Sequence, residues 1–220
     1  MTPNKEDYLK MIFELGGDTQ LISNKQIVVG LDVSAASVSE MITKLVEQEY
    51  VTHTPYQGIK LTATGQKRAA LLVRNHRLWE VFLVQSLHYP VDGIHQEAEQ
   101  LEHATTQMMA DRLSDLLGNP QYCPHGGVIP DADGHYFDQS RVPLATLQVG
   151  QKGHIERVVD EINVIDYIHE IDLRINDHFT VVAVTPQAVT LHLTRTDQSV
   201  SVEKVRAAHI FVDPALADNI

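Results

Sequence analysis

Over residues 4–15 (NKEDYLKMIFEL), Tyr8, Leu9, Ile12, Phe13 and Leu15 recur at helical spacing, and Gly16-Gly17 closes the segment. Ser23-Asn24 leads into a short apolar run, KQIVVGL, with Asn24 as a candidate cap and Gly30 as a candidate end. After Asp32-Val33-Ser34 a longer helical pattern begins, SAASVSEMITKLVEQEY. Val38, Met41, Ile42 and Leu45 keep one face apolar, and Ser34, Ser37, Thr43 and Lys44 leave another small and polar. A short helix, a tight turn and a longer helix with a small polar face form the helix-turn-helix pattern. Tyr50–Thr54 and Ile59–Thr62 read as strands around a turn from Pro55 to Gly58, and a hairpin in that position makes a winged helix.

A long amphipathic helix is expected from about Thr64, its candidate cap, to Leu87, with Leu71, Leu72, Leu78, Trp79, Phe82 and Leu83 apolar. Tyr89-Pro90 stops it. Residues 92–117 read as one or two further helices ended by Gly118-Asn119-Pro120. Cys123–Pro130 and the DADGHYFDQS run read as loop. From about residue 146 β-branched alternation and turn signals point to a small β-rich domain. The fold class expected is mainly α with small β parts.

Composition narrows the function. The chain has 220 residues, 43% hydrophobic and 21% charged, an ordinary globular balance. No uncharged apolar stretch reaches the roughly 18 residues of a membrane span. The opening MTPNKEDYLK is charged and carries no secretory pattern, and Cys123 has no second cysteine to pair with, so a cytoplasmic protein is expected. The net charge of −12 argues at first against nucleic acid. It is unevenly distributed, however. Residues 20–75 carry six basic against four acidic side chains, whereas residues 76–140 carry two basic, ten acidic and six of the twelve histidines. Acidic, histidine-rich composition is what divalent cations neutralise.

Three constellations carry candidate chemistry. His95, Glu99, Glu102 and His103 fall on one helical face, and His76 and Glu80 form an i,i+4 pair on the preceding helix. If those helices pack antiparallel, both sets face one space; the plainer alternative for each is a solvated polar face. Cys123-Pro-His125-Gly-Gly is either a turn with its thiol packed inward or a ligand or nucleophile pair. Asp7 is either a surface acid near a helix start or a ligand. No His-Glu-x-x-His pattern, glycine-rich phosphate loop or Gly-x-Ser-x-Gly elbow is present, so enzymatic chemistry has no positive support.

Taken in order, MTPNKEDYLKMIFEL, NKQIVVGLDVSAASVSEMITKL, NHRLWEVFLVQSL, HQEAEQLEH and CPHGG resemble the diphtheria-toxin-repressor family, more narrowly its manganese-responsive branch. The resemblance implies a homodimeric, metal-activated repressor without enzymatic activity. It divides the chain into a winged helix-turn-helix DNA-binding domain (1–72), a helical dimerisation and metal-binding domain (73–140) and a FeoA-like, SH3-like β-barrel (146–220). It implies one metal site of Asp7, Glu99, Glu102 and His103, with His76 nearby, and a second of Glu80, Cys123, His125 and Asp160; His95 could join either or neither. The iron-responsive relatives use a Met and a Cys where this chain has Asp7 and Glu102. Hard oxygen donors point to Mn²⁺, with Fe²⁺, Zn²⁺, Co²⁺ or Cd²⁺ as substitutes. In this picture an ion bridging Asp7 to the middle helix sets the DNA-binding heads, and without it the carboxylates repel and the head moves freely. Ser34, Ala35, Ser37, Ser39 and Thr43 would face the major groove of double-stranded operator DNA. Lys25 and Lys44 would meet phosphates, and Tyr56, Gln57 and Lys60 of the wing the backbone or minor groove. A winged-helix regulator of another ligand class, a metalloenzyme with an open coordination position and a dimerising scaffold are the rival readings.

Overall fold

The structure, a computed structural model, describes residues 3–137, 139–159 and 161–214. The chain divides into two compact units, Met1–Asp138 and Gln139–Ile220.

In the first unit, helix α1 (Pro3–Glu14) is enclosed on nearly all sides. Tyr8, Leu9, Met11, Ile12 and Phe13 are buried, and so are the charged Glu6, Lys10 and Glu14. Helix α2 (Asn24–Leu31) starts one residue earlier than expected. Ser23 is its cap and Gln26 completes a capping box, so Asn24 is the first helical residue. Gly30 lies inside the helix and is buried; Asp32, in the left-handed conformation, ends it. Helix α3 (Ala35–Glu47) is capped by Ser34, whose Oγ accepts from the Ser37 amide at 3.1 Å, and it buries Val38, Ile42 and Leu45.

Strands β1 (Val51–Thr54) and β2 (Gly58–Leu61) form the antiparallel wing with Tyr56 at its exposed tip. Reciprocal 2.8 Å bonds between Ile22 and Ile59 tie the wing to the segment before α2. Helix α4 (Ala63–Gln85) is capped by Thr62 rather than Thr64: Thr62 Oγ accepts from the Gly65 amide at 3.0 Å and donates to the Glu49 carbonyl at 2.7 Å. That second bond explains the shift, since only a residue at the end of β2 reaches the α3–β1 connection. Helices α5 (Ile94–Glu102) and α6 (Gln107–Leu116) follow, and α5 packs on α4. No helix among the described residues is long and apolar enough to cross a membrane.

The second unit is an antiparallel six-stranded sheet with order β3-β8-β4-β5-β6-β7. The strands are β3 (Val142–Pro143), β4 (Lys152–Val158), β5 (His178–Val184), β6 (Ala188–Leu193), β7 (Gln198–Glu203) and β8 (Ile210–Asp213). Alternate residues such as Phe179, Val181, Val189 and Leu191 point into one core, which is completed by Val164, Ile165 and Ile168 of helix α7 (Ile162–Glu170). The short helix α8 (Lys204–Ala207) joins β7 to β8. The β-rich reading of this region omits α7. Its apolar stripe covers one face of the sheet. The expected closed barrel is not seen either: β3 and β7 are the sheet edges, and no pairing joins them among the described residues.

Gly65 marks the tightest joint between wing and helical body, because a Cβ there would lie 1.9 Å from the Tyr50 carbonyl oxygen. Gly65→Ala is expected to cost about 1–3 kcal/mol, the usual penalty of overpacking. Urea unfolding of the two proteins measures it; an unchanged midpoint would refute the tight contact.

Candidate metal centre

The polar residues of α1 repeat at i, i+4 and i+8, which places Glu6, Lys10 and Glu14 on one face. Each meets a partner far along the chain. Glu6 bonds Arg68 of α4 and His103 Nδ1, the latter at 2.7 Å. Lys10 Nζ lies 2.6 Å from Glu99 Oε2 and 3.1 Å from both Glu102 oxygens. Glu14 pairs with Arg77, whose guanidinium also donates to the Val128 carbonyl and packs against Gly127. None of these three α1 residues was singled out in the sequence, although their four-residue spacing beside Asp7 was a usable signal.

On the adjoining face of α1 stands the first cluster. Asp7, Glu99, Glu102 and His103 present one ligand atom each within 4.8 Å of one another. His103 Nε2 is 3.1 Å from Asp7 Oδ1, 3.6 Å from Glu102 Oε1 and 3.8 Å from Glu99 Oε1. The pull of Asp7 and then Glu99 raises His103 to about 10 against the cost of burial. Burial, with Glu99 nearby, raises Asp7 above the usual carboxylate range despite the hydrogen bond from His103. Burial also opposes ionisation of Glu99, but His103, Lys10 and His76 outweigh it and hold Glu99 well below that range. A proton shared among these groups is what a cation replaces: three oxygen donors and one imidazole suit a divalent ion, which releases the proton on binding. The residues present fit such an ion.

The expected picture of carboxylates that simply repel needs correcting. Lys10 and Arg68 lie among them and offset part of their charge.

A second cluster centres on Glu80, which is fully buried. Glu80, Cys123 and His125 converge within 4.8 Å, with His125 Nδ1 2.9 Å from Glu80 Oε1. Glu80 also converges with His76 and His95, His76 Nε2 lying 3.3 Å from the same oxygen. His76 and His95 rings are 4.8 Å apart. His95, undecided from sequence, thus stands with His76 and Glu80. His76 turns its other nitrogen to Glu102 Oε2 and so joins the two clusters. Burial and the Lys10 ammonium work against protonation of His76, yet the carboxylates of Glu102 and Glu80 hold it up at about 10. Asp160, the remaining expected ligand, lies outside the described residues.

The expected DNA-facing residues are on the surface of α2, α3 and the wing. Lys25, Ser34, Ala35, Ser37, Ser39, Thr43, Tyr56 and Gln57 are exposed; Lys44 and Lys60 are partly exposed. Ser39 and Thr43 donate their hydroxyl protons to the Ala35 and Ser39 carbonyls one turn back, at 2.9 and 3.0 Å. Their outward contribution is therefore lone pairs and methyl or methylene surface. Lys44 pairs with Glu40 at 2.6 Å; an exposed pair of this kind is worth little and yields readily to a phosphate.

Comparison with known proteins agrees with this geometry. Residues 1–59 match the model of the iron dependent repressor N-terminal DNA binding domain, and residues 62–131 that of the metal binding and dimerisation domain. Residues 142–214 match the FeoA domain. The fold and the clusters therefore define a metal-dependent, DNA-binding transcriptional regulator. Among solved structures, the manganese regulator SloR is 37% identical, with 97% of this chain and 100% of that one covered at a TM-score of 0.80. The metal-dependent transcriptional regulator MtsR is 35% identical over the same shares, with a TM-score of 0.84. ScaR with bound Zn²⁺ is 33% identical, covering 96% and 99%, at 0.77. The chain belongs to the diphtheria-toxin-repressor family. Its relatives are regulators and not enzymes, which answers the metalloenzyme alternative.

Glu6 accepts from His103 Nδ1 and so turns Nε2 toward Asp7, Glu99 and Glu102. Glu6→Ala is expected to weaken divalent-ion binding by roughly 10–100-fold, the typical effect of losing such a supporting carboxylate. Calorimetric titration with Mn²⁺ measures it, and wild-type affinity in the variant would deny Glu6 this role.

Proposed function

We propose that this protein is a cytoplasmic, homodimeric repressor of manganese uptake genes, activated when Mn²⁺ is held by Asp7, Glu99, Glu102 and His103. The observation that carries this reading is the origin of the donors. Asp7 stands on α1, in the segment matched to DNA binding, and the other three stand at the end of α5, in the segment matched to metal binding and dimerisation. An ion bound by all four cross-links the two segments and favours the arrangement in which paired recognition helices reach successive major grooves, about 34 Å apart.

Residues 1–72 would carry the DNA-binding function and 73–140 the metal and dimer functions, with an SH3-like fold from residue 146 onward. The α3 face of Ser34, Ala35, Ser37, Ser39 and Thr43 enters the groove of double-stranded operator DNA. Lys25 and Lys44 meet phosphates, and Tyr56, Gln57 and Lys60 follow the backbone from the wing. The exposed Met108, Met109 and Leu116 of α6 are the apolar surface for a second copy of the chain.

Three oxygen donors favour Mn²⁺ or Fe²⁺ over ions that prefer sulfur, while Zn²⁺, Co²⁺ and Cd²⁺ can substitute by raw affinity. Solved ScaR structures hold Zn²⁺ or Cd²⁺. The second cluster, Glu80 with Cys123 and His125 and, from beyond the described residues, Asp160, is softer and accommodates zinc more readily. His76 and His95 offer Glu80 an alternative pair of donors.

The test is fluorescence anisotropy of a labelled manganese-uptake promoter fragment at one fixed salt concentration, with a scrambled control. Mn²⁺ should tighten binding of chelator-treated protein to the specific fragment alone. In Asp7→Ala that stimulation should be lost; its survival would remove Asp7 from the activating site. Lys44→Ala should weaken all sequences alike and reduce the salt slope by roughly one. A loss confined to one base position would make Lys44 a base reader instead.

A further inference from the structure

Taking the Asp7 cluster as the divalent site, as proposed above, we infer that Lys10 is the fixed internal cation of that site and holds its affinity down. Lys10 is 1% exposed, and its ammonium reaches Glu99 Oε2 at 2.6 Å and both Glu102 oxygens at 3.1 Å. A buried ammonium persists only against paired anions, so this contact is strongly held. The two carboxylates it binds are two of the four donors of the cluster.

Their oxygens are divided. Glu99 turns Oε2 to Lys10 and Oε1 toward His103, while Glu102 Oε1 serves both sides, 3.1 Å from Lys10 Nζ and 3.6 Å from His103 Nε2. A bound ion and the ammonium therefore draw on the same negative charge.

The charges show what the lysine does. Asp7, Glu99, Glu102 and the adjoining Glu6 bring four carboxylates together, and Lys10 and Arg68 bring two cations. With the His103 proton released to the incoming ion and His76 offset by Glu80, two negative charges remain, which one divalent ion neutralises. Without Lys10 three would remain, and the same ion would be bound more tightly because like-charge repulsion is gone. Lys10 also links α1 to α5 by itself, the same two helices that an ion held by Asp7 and Glu102 would join. It thus keeps the donors assembled and raises the ion concentration at which they fill. That behaviour suits a sensor of an abundant ion rather than a scavenger of a scarce one.

The experiment uses the full chain, chelator-treated, with Lys10→Met, Lys10→Arg and Asp7→Ala beside the wild type. Mn²⁺ affinity is measured by competition with a fluorescent chelator, and thermal midpoints are taken with chelator and with Mn²⁺. Lys10→Met should bind Mn²⁺ about tenfold tighter or more. It should melt lower than wild type in chelator and gain more from Mn²⁺. Lys10→Arg, which keeps the charge, should retain wild-type affinity. Should Lys10→Met fail to fold in chelator, Lys10→Gln is refolded in Mn²⁺ and titrated by the same competition, with the same expectation. Unchanged or weaker Mn²⁺ binding in the neutral variants, with Asp7→Ala still losing one site, would reduce Lys10 to a structural ion pair and overturn this inference alone. Full Mn²⁺ binding by Asp7→Ala would overturn the site assignment and the inference together.

Discussion

The first unit depends on one constraint: the charged stripe of α1 is buried and must find opposite charge there. Glu6, Lys10 and Glu14 lie one turn apart and answer to Arg68, to Glu99 and Glu102, and to Arg77. Such pairs add little net stability over apolar packing, because desolvation offsets most of their attraction. Removing a single partner is costly, typically about 3–5 kcal/mol. They therefore act as registration marks. The apolar side of α1, led by Leu9, Met11 and Ile12, supplies the burial, and the charged stripe permits only one rotation and one height of α1 against α4 and α5.

That register brings Asp7 to the end of α5. A helix turned by one residue, about 100°, would aim Asp7 elsewhere and leave Glu99, Glu102 and His103 without a ligand from α1. The same packing places His76 between the clusters, one nitrogen toward Glu102 and the other toward Glu80. The clusters are thus electrostatically linked, because charge gained at Glu80 or Glu102 is felt through a single imidazole.

Cys123 has its place in this arrangement as well. The turn from Cys123 to Val128 closes on itself through the bond from the Cys123 amide to the Gly127 carbonyl, and Arg77 packs against Gly127. The thiol and His125 are thereby delivered to Glu80 from the loop side. The inward-packed turn and the ligand pair, which stood as alternatives in the sequence, are compatible: Cys123 is buried and faces the donors.

Much of this was legible in the residues. Local periodicity marked α1, α3, the wing and α4, and the helical offsets placed Glu99, Glu102 and His103 together, because those relations span a few residues and depend only on helix geometry. The ordered motifs named the family. Other features needed the folded chain. Thr62 displaces Thr64 as the cap because it reaches the Glu49 carbonyl, and α7 is a helix because a sheet lies beneath its apolar stripe. Nothing in the local pattern singles out Lys10. It is buried because its carboxylate partners, 89 and 92 positions later, arrive on α5. Sequence pattern by itself decided which elements form and which donor types exist. The tertiary structure alone decided which charges lose their water, since burial on a second helix face depends on a neighbour that local spacing cannot see.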